Sequence, residues 1–260
     1  MIRPAAVAGI FYPEDAAELR RTVAAYVDAN IPAEVVPKAI VAPHAGYRYS
    51  GSVAGTAYAQ IVKGRGIIKR VVLIGPSHRV HLSGLGLSSA EGFASPLGVV
   101  PLDHDAAKSI RDLPYVSVND AAHAPEHGLE VHLPFLQILL GEFKLVPLVC
   151  GEAQDDETAG ALAALWGGTE TLIVISSDLS HFLDYESARR MDAKTARSIE
   201  TLKPEEIESK QACGYIPLRG LLSLARQKKL QPRVLDLRNS GDTAGPRDCV
   251  VGYGAFSFDE

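Results

Sequence analysis

Three apolar stretches of this 260-residue chain run into turns that contain a histidine: AIVAPH ending at His44, VVLIGPSH ending at His78 and VISSDLSH ending at His181. Neutral imidazole is the commonest metal-binding side chain, and it also titrates close to neutral pH, so it serves as ligand or as acid and base. Asp178 stands three residues before His181, a spacing that can put both side chains on one face of a turn or helix start. A carboxylate bonded to an imidazole orients the ring and stabilises its charged form, which makes His181 a candidate general base backed by Asp178. The plainer alternative is that Asp178 caps a following helix, with Ser176 or Ser177 assisting. Cys213 opens CGYIPLRGLL, where Gly214 and Pro217 punctuate a helix start. A thiol at a helix N-terminus has a lowered pKa and becomes a nucleophile or metal ligand more easily. Its alternative is a buried cysteine acting as a small hydrophobe, the reading that suits Cys150 and Cys249 beside their apolar runs.

A second cluster holds His123, Glu126, His127, Glu130 and His132 on a loop leading into a helix. It is not H-E-x-x-H, so the metalloprotease signature is absent. His132 lies on the apolar stripe of Leu129 and Leu136 and reads as a satisfied core histidine, His123 as a loop residue, and His127 alone as a neighbour of the pocket. Phe11, Tyr12, Tyr47 and Tyr49 can line a pocket or simply pack. No G-x-G-x-x-G follows a strand, and neither a phosphate-binding P-loop nor a G-x-S-x-G nucleophile elbow occurs.

The elements that must position these side chains show in the periodicity. Lys38–Ala42, Arg70–Ile74, Lys144–Val149 and Thr171–Ser176 read as strands, with Pro147 marking an edge or bulge in the third. Helices are expected over 51–62, 155–166, 184–201, 204–210 and 214–227, and through Leu129, Leu133, Leu136 and Leu140 with Pro134 in the first turn. The Gly-rich segment 84–101 suggests a meander, and Arg233–Leu237 and Val250–Phe258 close the chain as β-structure. Apolar strands alternating with helices predict an α/β fold with a central mixed, largely parallel sheet covered by helices on both faces. No linker or repeat divides the chain, so residues 1–260 are expected to form one domain. Ligand sites in open α/β sheets form beyond the carboxyl ends of strands, so neighbouring strands would bring His44, His78, Asp178 and His181 to one crevice.

Composition narrows the partners. A formal net charge of −5 offers no basic footprint for nucleic acid or for anionic membranes. Three widely spaced cysteines without a C-x-x-C pair form neither a disulfide framework nor a structural zinc site. With no secretory signal and no run of about 18 apolar residues, a cytoplasmic protein is expected.

Several segments in order, PAAVAGIFYP, APHAGYRYSG, GPSH, EHGLEVHLPF, ISSDLSH, CGYIPL and NSGDTAG with VVGYGAF, give the chain a resemblance to the Memo family, called AmmeMemoRadiSam system protein B in many bacteria. The resemblance implies a fold similar to class III extradiol ring-cleaving dioxygenases, which are non-haem iron enzymes. It implies a pocket formed by His44, His78, Asp178, His181 and Cys213, with His44, His78 and Cys213 as metal ligands and His181 and Asp178 as the acid/base pair. The related dioxygenases bind iron through two histidines and a glutamate, and a cysteine in the third position departs from that pattern. Thiolate is the softer ligand and can be oxidised, so iron or copper is expected, with zinc behind them. Phe11, Tyr49 and His127 would line the substrate side. The rival expectation is a binding module that recognises a small anion or peptide through protonated histidines. The family's bacterial name alone suggests radical-SAM and AMMECR1-like partners.

Overall fold

The computed structural model describes residues 1–260. It begins with strand β1 (Ile2–Arg3), helix α1 (Ala16–Asp28), β2 (Ala39–Ala42), α2 (Tyr47–Ala59) and β3 (Arg70–Pro76). An excursion with β4 (Leu85–Leu87), β5 (Gly92–Ser95) and β6 (Gly98–Pro101) follows, then α3 (His104–Arg111), β7 (Val116–Val118) and α4 (Asp120–His123). Next come α5 (Leu133–Leu140), β8 (Lys144–Cys150), α6 (Asp155–Ala164), β9 (Thr171–Ser176) and β10 (His181–Leu183). Helices α7 (Tyr185–Glu200) and α8 (Tyr215–Lys228), strand β11 (Gln231–Asn239), α9 (Ser240–Thr243) and β12 (Val250–Asp259) complete the chain.

The main sheet has nine strands in the order β10-β12-β2-β9-β3-β8-β4-β7, with β11 also pairing β12. Its four central strands β2, β9, β3 and β8 are parallel. Antiparallel pairings join β12 to β2 on one flank and β4 to β8 on the other, so the parallel character is confined to the centre. A smaller sheet, β1-β5-β6, is built by the Gly-rich excursion and the first residues of the chain.

Side chains alternate across each central strand, as the pleat requires. Ile40, Ala42, Val71, Leu73 and Val174 face a core shared with α1, α2 and α5. Ala39, Val41, Val72, Ile74, Ile173 and Ile175 face the other core, shared with α6 and α8. Both faces are therefore covered, as the unbroken apolar runs predicted. Every strand at the centre matches its expected position within two residues.

Two local expectations change and a third holds. The helix expected through Leu129–Leu140 is a 3-10 turn at Glu130–His132 followed by α5, because Pro134 sits in the first turn of α5 and fixes where that helix begins. The helix expected over 204–210 is only the 3-10 turn Pro204–Glu206. Pro147 lies in a strand flanked on both sides, but β4 reaches β8 only at Val149 and Cys150, so β8 is still an edge at Pro147 itself. No helix is long and apolar enough to cross a membrane.

One buried ion pair ties the N-terminus to the loop before α5. The Arg3 guanidinium donates to Glu130 at 2.7 Å and to the carbonyls of His123 (2.7 Å) and Glu126 (2.6 Å). Glu130 also accepts from the N–H groups of Ala6 and Val7 and from the Tyr12 hydroxyl, at 2.7–2.9 Å. Every strong acceptor site on the carboxylate is used, which is what makes burial of the pair tolerable. Glu130→Ala leaves the guanidinium buried without its partner and is expected to lower the unfolding free energy by about 3–5 kcal/mol in urea titration. A loss below about 0.5 kcal/mol would show that the clamp is not holding this part of the fold.

Candidate functional site

Because β2, β9 and β3 are adjacent and parallel, their carboxyl ends lie side by side. Ala42 pairs with Ser176, and Ile74 with Ile175. Two residues beyond each strand stand His44, Asp178 and His78. The convergence expected from the sequence is therefore present for His44, His78 and Asp178, and Cys213 joins them from the turn that starts α8. Gly214 makes that approach feasible: its N–H donates to the Ser177 hydroxyl at 2.9 Å, and a Cβ there would fall 2.7 Å from the Ser176 carbonyl oxygen.

His44 is buried, 2% exposed, and its N–H and both ring nitrogens have partners. Its N–H donates to Asp178 Oδ1 at 2.7 Å, Nδ1 meets Ser176 Oγ at 2.7 Å, and Nε2 stands 3.3 Å from Cys213 Sγ. His78 donates its N–H to Glu126 Oε2 at 2.7 Å, and its Nδ1 lies 2.8 Å from Glu126 Oε1. The His44 and His78 rings meet edge to face with centroids 4.9 Å apart. One ligand atom each from His44, His78 and Cys213 lies within 4.8 Å of the other two, and the same holds for His78, Glu126 and His127.

His127 packs beside His78 at 4.6 Å and against Phe11 at 4.9 Å, so two of the three expected pocket residues reach the site. Tyr49 is on the first turn of α2, partly open to solvent, with the Arg48 guanidinium 5.9 Å from its ring. His81 is exposed and forms no part of the cluster.

Several expected roles change. Asp178 does not hydrogen bond to His181, and it caps no helix, since β10 and not a helix follows it. Its Oδ1 faces the backbone of His44 instead, while the ring of His181 bonds the Leu179 carbonyl through Nδ1 at 2.8 Å. Burial first, and the Asp178 charge second, push the Cys213 thiol up to about 12, the opposite of the lowering expected at a helix start. The desolvated surroundings outweigh the Asp178 and Gly214 N–H groups that face the sulfur and pull the other way. His123 belongs to α4, where Nε2 meets the Gly86 carbonyl at 2.9 Å, and is not a loop residue. His132 is the satisfied core histidine expected, between Ser176 Oγ and the Tyr58 hydroxyl.

Glu126 is the functional candidate that sequence reasoning left out. It is fully enclosed, and it receives the His78 N–H, the His78 ring and the Gly128 N–H. Burial pushes its carboxyl upward, but these bonds outweigh it and hold the group below the usual carboxylate range. The available signal was an acid in a loop with histidines and a glycine two residues on. Gly128 passes directly over the site: a Cβ there would lie 3.1 Å from Glu126 Oε1 and 3.4 Å from the His78 ring.

The electrostatics favour uncharged imidazoles. Burial lowers His44 well below the ordinary value, lowers His181, and takes His127 to about 4. Burial likewise raises Asp178 to about 7. Neutral rings are the form that a metal ion requires.

The sequence profile of the Memo family, described as Memo-like protein, matches residues 3–257 of this chain. A MEMO1 family protein of Aquifex aeolicus is 36% identical over 97% of both chains. Another, from Methanosarcina acetivorans, is 35% identical over 98% of each, and one from Aeropyrum pernix is 34% identical over 98% of each. Among solved structures, an uncharacterized protein of Escherichia coli K12 superposes with a TM-score of 0.53 at 14% identity, covering 83% of this chain and 98% of its own. That likeness concerns the fold.

The lowered imidazoles also set an acid limit on stability. Burial takes His123 to about 4 and His132 to about 3, alongside the lowered His44, His127 and His181. The unfolded chain then binds more protons than the native one below about pH 6.5, so this stability is present above that pH and is lost as pH falls. Asp178 and Asp192, raised by burial to about 7 and about 6, oppose the trend, but two carboxyls do not offset five imidazoles. Urea midpoints of the metal-free protein should fall steadily between about pH 6.5 and pH 4.5. Midpoints that stay level across that range would contradict the assignment of neutral buried rings.

Proposed function

This chain belongs to the Memo family, and on that premise we propose that His44, His78 and Cys213 hold an iron or copper ion in a redox-capable, dioxygenase-like pocket. The observation that carries the reading is the donor set itself: two imidazoles and one thiol, with ligand atoms within 4.8 Å of each other, at the carboxyl ends of parallel strands. A mixed nitrogen and sulfur set suits copper or iron and leaves coordination positions open. The ion would supply Lewis acidity and one-electron chemistry at those positions.

The chain's own residues account for the rest. Glu126 accepts the Nδ1 proton of His78 and so leaves Nε2 as the ring's lone pair, the arrangement by which carboxylates orient metal-binding histidines. Asp178 holds the main chain of His44 in place through its N–H. With its Nδ1 proton donated to the Leu179 carbonyl, His181 keeps a bare Nε2 that can take a proton from a bound substrate. Phe11 and His127 form one wall that limits access of water.

Protein purified without a histidine tag, stripped with a chelator and titrated with iron and copper tests this reading. Wild type should bind near-stoichiometric metal, and His44→Ala and Cys213→Ala should lose it. Failure of wild type to bind either ion at low micromolar concentration would sink the proposal. Glu126→Gln keeps the shape but weakens the acceptor for His78, and its affinity should fall by roughly 10–100-fold. An unchanged affinity would remove Glu126 from the metal-supporting role.

A further inference from the structure

Behind His44 lies a hydrogen-bonded chain that no metal ligand explains: Ser176, His132 and Tyr58. We propose that Ser176, backed by His132 and Tyr58, is a positioning residue that locks His44 in the Nδ1–H tautomer and presents its bare Nε2 to the pocket. The consequence for metal affinity rests on the metal-site reading above, but the tautomer assignment stands apart from it.

The argument is a count of protons around one oxygen. Ser176 Oγ has three polar neighbours: the Gly128 carbonyl oxygen at 2.5 Å, His44 Nδ1 at 2.7 Å and His132 Nε2 at 2.8 Å. A hydroxyl carries one proton and two lone pairs. The Gly128 carbonyl has no proton to give, and two oxygens approach to this distance only with a proton between them. The serine proton is therefore committed to Gly128. Both ring nitrogens must then donate, or else their lone pairs would face the oxygen's lone pairs.

Each end of the chain agrees. If His132 donates through Nε2, its Nδ1 is bare, and the Tyr58 hydroxyl stands 2.9 Å from it as donor. If His44 donates through Nδ1, its Nε2 is bare, and the Cys213 thiol 3.3 Å away can donate to it. The thiol sulfur in turn accepts from the Asp178 N–H at 3.3 Å. The opposite tautomer of His44 would set a ring lone pair against the serine oxygen at Nδ1. At Nε2 the thiol could turn its proton to the Asp178 carbonyl 3.6 Å away, so Ser176 is what decides the tautomer.

The chain ends in the core. Tyr58 is completely buried and stacks on Phe135 with centroids 4.7 Å apart. A proton passed along it has no exit to water, so the network orients a ring and does not conduct. Ser176 belongs to the machinery as the last residue of β9, which places its hydroxyl beneath the imidazole carried by the neighbouring strand β2.

Two-bond proton–nitrogen correlation NMR on metal-free wild type distinguishes protonated from bare ring nitrogens directly. The expected result is His44 with Nδ1 protonated and Nε2 bare, and His132 with the reverse. A His44 ring protonated at Nε2 would overturn the proposal whatever the metal does. The second measurement is metal affinity of Ser176→Ala by chelator competition, on protein whose circular dichroism matches wild type. A loss of roughly 10–100-fold together with a mixed His44 tautomer is expected. Wild-type affinity and an unchanged tautomer in that variant would overturn the positioning role. Tyr58→Phe, which removes only the outermost donor, should disturb the His132 signals while leaving His44 protonated at Nδ1. Should wild type bind no metal while showing the expected tautomers, the metal reading fails and the lock stands.

Discussion

Parallel pairing of β2 and β3 on either side of β9 governs the rest of this molecule. Hydrogen bonds from Ala39–Ala42 to Ile173–Ser176, and from Arg70–Ile74 to Thr171–Ile175, bring three chain segments far apart in sequence to one level. Parallel strands point the same way, so the residues that leave them emerge on one edge of the sheet. His44, His78 and Asp178 owe their proximity to that alignment, and a one-residue slip of β2 would exchange its two buried faces as well as remove His44. Helices on both sides make such a slip costly, since Ile40 and Ala42 fill one core while Ala39 and Val41 fill the other.

The pocket that results is buried at His44 and Asp178 and open to solvent at His78. Burial works against charge on all three buried groups: it lowers the His44 imidazole, raises the Asp178 carboxyl to about 7 and raises the Cys213 thiol to about 12. Glu126 is the exception, an ionised carboxylate kept so by three donors from His78 and Gly128. An enclosed carboxylate beside imidazole and thiol donors is a setting that suits a cation.

Much of this was legible in the order of residues. The strand-end histidines, the Gly-rich excursion and the helix start at Cys213 are local signals, and each element appears where its pattern placed it. What escaped depends on long-range contacts. Asp178 and His181 are close in sequence, yet Asp178 turns to a backbone N–H contributed by residue 44, which no spacing rule anticipates. Glu126 stood among histidines on a loop, and its part became visible only when β3 delivered His78 to it. Cys213 looked activated because helix starts lower thiol pKa values, but burial under β9 is a property of packing and reverses the direction. Ser176 could be read as a capping serine, and only the three neighbours around its hydroxyl reveal a different use.

The strand order also carries a schedule for synthesis. Strand β2 is made early, yet its two neighbours are β9 and β12, and β12 is the last element of the chain. His44 and Cys213 are 169 positions apart, and Arg3 meets Glu130 across 127. Contacts of such separation form slowly, because long loops must close before any bond rewards them. On the ribosome, β2 is without its β12 partner until residues 250–259 have emerged. The pocket is thus a product of the finished chain, and a nascent polypeptide has nothing resembling it to offer.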